Sequence, residues 1–290
     1  MEIANEFAIP GDFISGVEID SGHINSTYRV EFGSDVGSKN RYVLQRINEA
    51  VFRDPKAVMR NVEVLTRHIN WKVLRVKRDS SGQTLNLFPA RGGRFHAEVE
   101  GDGIWRCYNF IEGCCTYNVV ENPRQAYEAA KAFGSFQDLV SDIPLENIEE
   151  TIPNFHNTPQ GYENLMQAVA EDPLNRAGGV REELDFVRSH KGILSKLINL
   201  RNSGVLPQRI THNGIKINNV MIDPRNDRAV CVIDLDTVMP GLALYDFGDM
   251  VRTAVSPSAE DERDLSKVAV RMPIFQALVE GYLDGCDCIL

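Results

Sequence analysis

Apolar residues divide the chain into a strand-rich first part and a helical second part. Short runs rich in β-branched and aromatic residues, which are typical of strands, lie at 28–32, 42–47, 84–88, 95–100 and 104–111. Between the second and third runs the period changes to that of a helix. Asp54-Pro55 is a suitable helix start, and apolar residues then recur at helical spacing as far as Ile69.

After Gly113 the chain is mostly helical by the same criterion. Amphipathic segments lie at 124–140, 180–200 and 265–283. One hairpin interrupts them, with strands predicted at 220–222 and 229–233 around a turn rich in Pro, Asn and Asp. We therefore expect an α+β, bilobal fold, with a β-rich lobe and its connector over 1–110 and a mainly helical lobe over 111–290.

Composition narrows the functional classes. The 290 residues can bury a sizeable core in one or two lobes. A formal net charge of −10 argues against a nucleic-acid-binding surface, because phosphate backbones favour clustered Lys and Arg. No apolar run is long enough to span a membrane, and the N-terminus lacks an export signal. The six cysteines show no CxxC spacing, so we expect a cytoplasmic protein with reduced thiols, no zinc site and no membrane partner.

The segment 211–219, with the sequence THNGIKINN, is the most informative part of the chain. Together with 232–236 (VIDLD) it has the layout of a phosphoryl-transfer loop, His-x-Asp-x-x-x-x-Asn, followed by a hairpin and a metal-binding Asp. Asn219 and Asp234 fill the two metal-ligand positions and offer oxygens that suit Mg²⁺. The position of the catalytic base, which such a loop fills with Asp, is Gly214 here.

The same loop carries a candidate cation. Lys216 lies two residues after the base position and could neutralise charge on the transferred group. A simpler interpretation is that the polar residues of this loop only cap a turn, since Asn is common in turns. The loop, the hairpin and the Asp-containing strand occur in the order that phosphoryl transfer requires, which favours the catalytic interpretation.

A second polar segment, near the N-terminus, could bind the phosphates of a nucleotide. The candidates there are Gly22, Asn25, Ser26 and Thr27. Small residues at a turn between strands can present backbone N–H groups to anions, although they would equally suit a plain hairpin turn. On the next strand, Arg46 is a candidate clamp for the α- and β-phosphates, with Glu63 as its carboxylate partner. An exposed strand arginine is the alternative.

Further residues are candidates for binding adenine or the phosphate acceptor. The connector between the two parts exposes backbone groups that suit the adenine edge, and its candidates are Tyr108, Asn109 and Ile111. Asp236 is expected to face the acceptor, because alternation along a strand puts it on the same side as Asp234. Asp246 and Asp249 could contact the substrate, but a structural role is favoured for Asp246, which is expected to pin the backbone of the catalytic loop.

Taken together, these residues resemble the aminoglycoside phosphotransferase and choline kinase superfamily, and most closely its N-acetylhexosamine 1-kinase branch. The segments that carry the resemblance are 22–25, 42–48, 106–113, 155–159 and 216–249. The resemblance implies a protein-kinase-like fold, ATP and Mg²⁺ as cofactors and a small-molecule sugar as substrate. The acceptor would be the anomeric hydroxyl of an N-acetylhexosamine. His156 and Arg176 are candidates for the sugar pocket by their place in the helical lobe.

Two departures from that family qualify the expectation. The family's loop has Asp where this chain has Gly214, and loss of a general base typically costs about 10²–10⁴ in rate. The family also continues with further helices beyond the position of Leu290. We therefore expect an impaired kinase, a fragment or degenerate copy, with a nucleotide-binding pseudokinase as the alternative. An acyl hydrolase is disfavoured, because no GxSxG motif is present.

Overall fold

The computed structural model describes residues 2–19, 24–33, 37, 39–76, 84–259 and 262–286. The strands of the first part are β1 (Asp12–Glu18), β2 (Ser26–Gly33), β3 (Lys39–Arg46), β4 (Leu87–Phe88), β5 (Ala97–Val99) and β6 (Gly103–Asn109). They form an antiparallel sheet in the order β1-β2-β3-β6-β4, and β5 pairs with β6. The predicted β-rich region is confirmed, and β1 is a strand that the periodicity did not indicate.

Helix α1 (Pro55–Val76) packs on one face of this sheet. Asp54 caps its first turn, as predicted, by accepting a backbone N–H at 3.0 Å. Val58, Val62 and Leu65 are fully buried, because their spacing places them on one face of the helix. They share a hydrophobic core with residues of the helical part, so α1 ties the sheet to that part.

The two faces of the sheet have different neighbours. On β3, Val43 packs towards α1 and the helical part, whereas Leu44 packs under the N-terminal residues around Phe7. On β6, alternation likewise sends Tyr108 to the first face and Cys107 to the second. The face on which a strand residue lies therefore decides whether its side chain can reach the helical part.

The second part of the chain is helical apart from short strands. Its helices are α2 (Pro123–Val140), α3 (Thr158–Glu171), α4 (Arg181–Ser189), α5 (Lys196–Asn202), α6 (Ala243–Ala254) and α7 (Met272–Gly285). Its strands are β7 (Arg209–Thr211), β8 (Val220–Asp223), β9 (Arg228–Val232) and β10 (Met239–Gly241). The predicted hairpin is formed by β8 and β9, while β7 pairs with β10. The chain thus has the expected fold, a β-sheet region followed by a helical region.

The predicted helix at 180–200 is wrong in its continuity. Helix α4 ends at Ser189, and α5 begins only at Lys196. Leu184 is the one buried residue within α4, and α5 has none. A helix draws most of its stability from an apolar face packed on a core, so this segment lacks the support that one long helix would need.

The predicted helix at 265–283 is also shorter than expected, because it begins only at Met272. Pro273 occupies the first turn. Proline has no N–H to donate and is tolerated at a helix start but not in a helix interior. Within the described ranges, none of the helices combines the length and apolarity needed to cross a membrane.

Helices α2 and α7 approach each other closely at glycines. A Cβ on Gly281 would lie 2.2 Å from the carbonyl oxygen of Tyr127, and one on Gly285 would lie 2.2 Å from that of Lys131. Both obstructing atoms belong to the backbone of α2, which cannot rotate away. The contact therefore requires glycine, and it fixes the position of α2, whose inner face reaches the candidate site.

Replacement of Gly281 by alanine is expected to lower the free energy of unfolding by about 1–3 kcal/mol or more, because the added methyl overpacks the α2–α7 contact. Gly161 in α3 is the matched control, since a Cβ there meets nothing within 4 Å. Gly161→Ala is expected to be neutral or to stabilise by up to about 1 kcal/mol. Denaturant unfolding of both variants measures the difference, and equal effects would contradict the close contact.

Candidate active site

The loop between β7 and β8 is built on a buried histidine. His212 is fully buried. Its ring makes T-shaped contacts with Phe133 and Phe136 at centroid distances of 5.4 and 5.5 Å. Its Nε2 donates to the carbonyl oxygen of Ile233 at 3.1 Å. Burial lowers the pKa of His212 to about 4, although the hydrogen bond to Ile233 opposes this. The ring is therefore neutral at physiological pH and anchors the loop to α2 and β9.

Asp246 of α6 holds the loop backbone, which confirms its expected role. Its carboxylate accepts the N–H of His212 at 2.9 Å, the N–H of Asn213 at 2.7 Å and the side-chain amide of Gln137 at 2.6 Å. Burial raises the pKa of Asp246 to about 7, and the three hydrogen bonds oppose that rise because they favour the ionised form. Asn213 itself has a left-handed backbone, with φ of 60°, so the loop turns sharply just before Gly214.

Asn219, one predicted metal ligand, is joined through its backbone to the residue before Asp234, the other. The backbone N–H of Ile233 donates to the carbonyl oxygen of Asn219 at 2.8 Å. The side-chain amide nitrogen of Asn219 donates to the carbonyl oxygen of Gly214 at 2.8 Å, which leaves Oδ1 as the ligand atom. Asp234 has a left-handed backbone, with φ of 62°, a strained conformation that is common at functional sites.

The electrostatics of Asp234 suit a cation. Part of its surface is open to solvent, but the surrounding protein and the nearby Asp236 raise its pKa to about 6, whereas Arg106 and Lys216 lower it. The charge of Lys216 is thus felt at Asp234, so the structure brings these two predicted residues together. A bound divalent cation would relieve the repulsion between the carboxylates.

The donor atoms fit a hard divalent cation. Asn219 and Asp234 offer oxygens, and Asn218 adds a buried Oδ1 with no hydrogen-bond partner among the described residues. Mg²⁺ prefers such oxygens and is usually completed by substrate phosphates and water. In the described part of the chain, no cluster of three or more His, Cys, Asp or Glu side chains could hold a metal.

Gly214 leaves no carboxylate at the base position, and a hydroxyl occupies the adjoining space. A Cβ built on Gly214 would lie 2.9 Å from Oγ1 of Thr237 and 3.8 Å from Nδ1 of His212. The Thr237 hydroxyl donates to the carbonyl oxygen of His212 at 2.8 Å, so it is held in place. A side chain at position 214 would have to displace it.

A buried ion pair connects the sheet to the segment that follows Asp234. Arg106 of β6 and Asp236 each have side chains only 1% exposed, and they form two hydrogen bonds, one of them from Nη2 to Oδ2 at 2.9 Å. Gln45 of β3 accepts from Nε and Nη2 of Arg106 at 3.1 and 2.8 Å. Burial alone would lower the pKa of the Arg106 guanidinium, but the charge of Asp236 opposes this and holds it above its ordinary value.

The expectation that Asp236 faces the acceptor is wrong in its premise. Strand β9 ends at Val232, and Asp236 lies in a 3-10 turn over Leu235–Thr237 rather than on the strand. The left-handed residue Asp234 ends the strand, so strand alternation does not apply beyond it. The Asp236 carboxylate is instead buried against Arg106.

Arg46 lies on the other face of the sheet. It pairs with Asp102 at 3.2 Å and lines a cavity of about 600 Å³ whose walls include Ser26, Asn48 and Gly103. Its neighbour Gln45 faces Arg106, so strand alternation turns Arg46 away from Asp234. The structure therefore does not bring the predicted phosphate clamp to the metal ligands. Arg106 and Lys216 are the cations whose charges act on Asp234.

One feature of the sequence could have indicated that Arg106 has a partner. Arg106 interrupts the apolar run of β6, and a charge in a buried strand requires a partner. Gln45 and Arg46 lie on opposite faces of β3, and which of these faces meets the helical part depends on the fold. Glu63, predicted as the partner of Arg46, instead pairs with Arg67 one helical turn away.

Of the N-terminal candidates, Asn25 contacts the helical part, whereas Thr27 contacts a neighbouring strand of the sheet. Gly22 lies outside the described residues. Asn25 donates to Oδ2 of Asp236 at 2.6 Å and accepts from the N–H of Asn48 at 3.0 Å, so its side chain bridges the sheet and the segment after Asp234. Thr27 accepts from Gln45 at 3.0 Å. The side chains of Asn25 and Thr27 thus support the ion pair.

The connector candidates are largely used by the fold. Tyr108 and Ile111 are both buried, each about 4% exposed. Asn109 accepts the N–H of Asn86 at 2.7 Å and donates to the carbonyl oxygen of Thr84 at 3.1 Å. The side chain of Asn109 thus orders the segment before β4. The backbone of Ile111 remains the predicted position for an adenine edge.

Of the two predicted sugar-pocket residues, one lies beside the catalytic loop. The ring of His156 stacks on Tyr245 of α6 at 4.7 Å, and the backbone of Asn213 is within hydrogen-bonding reach of its imidazole. Arg176 is exposed in the turn after α3, where its backbone N–H donates to Asp172 at 2.7 Å. The described contacts link His156, but not Arg176, to the loop.

A family model described as "Phosphotransferase enzyme family" matches residues 15–270. An aminoglycoside phosphotransferase from Alicyclobacillus acidocaldarius has a similar structure, with a TM-score of 0.59 and 13% identity over 97% of this chain and 76% of its own.

Two further solved structures are similar. The amicoumacin kinase hAmiN, determined with AMP-PNP and Ca²⁺, has a TM-score of 0.58 and 12% identity over 99% of this chain and 77% of its own. An ethanolamine kinase from Plasmodium vivax has a TM-score of 0.54 and 15% identity over 94% of this chain and 68% of its own. At these identities the structural likeness establishes the fold.

Proposed function

Because the chain belongs to the phosphotransferase enzyme family, we propose that it binds Mg·ATP and transfers the γ-phosphoryl group to a hydroxyl of a small-molecule sugar. The proposed acceptor is the anomeric hydroxyl of an N-acetylhexosamine, as the sequence resemblance implies. The observation that carries the proposal is the hydrogen bond that joins Asn219 to Ile233, the residue before Asp234, beside a loop pinned by Asp246. We also propose a division of the chain near residue 110 into a nucleotide lobe and an acceptor lobe.

The proposed roles follow from chemistry and position. Asn219 and Asp234 would hold Mg²⁺, which when bound supplies neutralisation of phosphate charge. Lys216, whose charge already acts on Asp234, would stabilise negative charge on the transferred group. Arg106, rather than Arg46, is a cation whose charge acts on Asp234. It would act mainly by holding the turn of Asp236 in place, since it is buried.

A second candidate function rests on Gly214. Asn219 and Asp234 keep oxygens that suit a cation, but no carboxylate is present at position 214. The Thr237 hydroxyl occupies the adjoining space. A chain of this kind could bind Mg·ATP without transferring phosphate, as a pseudokinase.

Thermal unfolding with and without Mg·AMP-PNP tests the nucleotide site. A ligand that binds only the folded state stabilises it, by about 2.7 kcal/mol at 100 times its Kd. We expect a clear rise in Tm for the native chain and its loss in Asp234→Ala. Asp185→Ala is the matched control, because Asp185 is an exposed carboxylate of α4. A cooperative transition that Mg·AMP-PNP leaves unchanged would contradict the proposal.

The acceptor is then tested with ATP and a panel of hydroxyl compounds. We expect ADP formation that depends on N-acetylglucosamine or N-acetylgalactosamine and not on kanamycin or ethanolamine. Turnover with an aminoglycoside alone would overturn the sugar assignment but keep the phosphotransferase. Binding of Mg·AMP-PNP without turnover on any acceptor would favour the pseudokinase.

Restoring the carboxylate should raise sugar-dependent turnover. Gly214→Asp alone places its Cβ against the Thr237 hydroxyl at 2.9 Å, so we expect a partial gain. Combined with Thr237→Ala, which removes the obstructing hydroxyl, the gain is expected to reach at least about tenfold, because a general base contributes about 10²–10⁴. The measurement is kcat for ADP formation.

Thr237→Ala alone is the control for this pair. It removes the hydrogen bond to His212 and should lower stability by roughly 1 kcal/mol without raising turnover. A double variant no faster than this control would show that proton acceptance does not limit the reaction.

A further inference from the structure

His156 stands next to the loop in which the base is missing. It belongs to the turn before α3. Its ring stacks on Tyr245 at 4.7 Å with an interplanar angle of 25° and makes a T-shaped contact with Phe155 at 4.7 Å and 60°. The backbone of Asn213, the residue before Gly214, is within hydrogen-bonding reach of the imidazole. The ring is thus fixed in orientation against the catalytic loop.

One nitrogen of this ring is left without a hydrogen bond by the described residues. Nε2 of His156 is buried and has no hydrogen-bond partner among the described residues. Buried polar atoms are nearly always bonded, and an exception requires an explanation. A neutral imidazole whose proton is on Nδ1 carries a free lone pair on Nε2, the nitrogen that has no partner here. That lone pair is suited to accept a proton from a bound hydroxyl.

The protonation state of His156 agrees with this role. Burial lowers its pKa, and the Asn213 backbone and the charge of Asp249 oppose that change. The titratable groups that face it from α6 are Tyr245 and Asp249. Burial raises the pKa of Tyr245, so its hydroxyl stays protonated, and Asp249 is paired with Arg252 at 2.6 Å. The imidazole is therefore neutral near pH 7 and able to accept a proton.

We propose that His156 accepts the proton of the attacking sugar hydroxyl, in place of the carboxylate that is missing at position 214. This inference rests on the proposed function. The acceptor oxygen forms a bond to the γ-phosphorus of ATP, and the bond from that phosphorus to the β–γ bridging oxygen breaks. The electron pair of the broken bond leaves with ADP. The hydroxyl proton passes to Nε2 of His156 and from there to solvent.

The test compares His156→Gln in two backgrounds, the native chain and the Gly214→Asp/Thr237→Ala variant. A glutamine keeps a polar side chain but cannot take up the proton. In the native background we expect kcat for sugar-dependent ADP formation to fall by at least about tenfold, with KM for ATP unchanged. In the second background the restored carboxylate should make His156 dispensable, and the loss should be less than about threefold.

The pH profile gives a second readout. If His156 is the proton acceptor, kcat of the native chain falls tenfold per pH unit below the pKa of the bound imidazole. This acid limb should be absent from the residual activity of His156→Gln. His190→Gln is the matched control, since His190 also stacks on an aromatic ring, Phe186 at 4.2 Å, but bonds within its own helical turn. It should leave both kcat and the pH profile unchanged.

Four outcomes would overturn the inference. Equal losses in both backgrounds would make His156 a packing residue. Unchanged activity in His156→Gln would remove any role. A native chain that binds Mg·AMP-PNP but transfers nothing to N-acetylglucosamine or N-acetylgalactosamine would refute proton transfer while leaving the nucleotide site intact. Failure to bind Mg·AMP-PNP would refute the proposed function together with the inference.

A measurement on the native chain covers the case in which His156→Gln does not fold. In protein labelled with carbon-13 histidine, addition of N-acetylglucosamine with Mg·AMP-PNP should shift one imidazole resonance and change its titration midpoint. That resonance is assigned to His156 by its loss in His156→Asn or His156→Phe. A spectrum in which no resonance responds to the sugar would contradict the proposal.

Discussion

The buried ion pair between Arg106 and Asp236 is the interaction on which the rest of the site depends. Neither side chain reaches water, and an uncompensated charge in such a place costs several kcal/mol. The pair is compensated by Gln45, which accepts from the guanidinium, and by Asn25, which donates to the carboxylate. Strand β6, through Arg106, and the residue before β2, Asn25, thereby contact one turn of the helical part, and β3 supports Arg106 through Gln45. The sheet can adopt few other positions without leaving a charge buried and unpaired.

This pair also determines the electrostatics of the proposed metal site. Burial raises the pKa of Asp234, the charge of Asp236 adds to this rise, and the charge of Arg106 opposes it. The turn that holds Asp236 begins at the left-handed Asp234, so the position of the ligand and the position of the pair are set by the same few residues. Thr237, the last residue of that turn, donates a hydrogen bond from its hydroxyl to the carbonyl oxygen of His212. One turn thus joins the sheet, the metal ligand and the catalytic loop.

Patterns that act within a short stretch of chain were predictable. The catalytic loop, the β8–β9 hairpin and the capped start of α1 each follow from residues close in sequence, and the structure confirms them. Asp246 was predicted to pin the loop because its motif places it soon after the metal strand, and it does so. The roles of the site residues in phosphate transfer remain predictions.

Contacts between distant residues were not predictable from one sequence. Arg106 and Asp236 are 130 positions apart, and nothing in either local pattern indicates the other. The choice between Gln45 and Arg46 depended on which face of β3 meets the helical part, and alternation alone does not say which. Asp236 was misplaced because a single left-handed residue ended the strand earlier than its apolar pattern suggested.

The most direct test of this account is a double-mutant cycle on the free energy of unfolding, with Arg106→Met, Asp236→Leu and the combined variant. Each single change leaves a buried charge without its partner and is expected to cost about 3–5 kcal/mol. The double variant should be much less destabilised than the sum of the two. Losses that add, or single variants as stable as the native chain, would contradict the claim that this pair holds the sheet on the helical part.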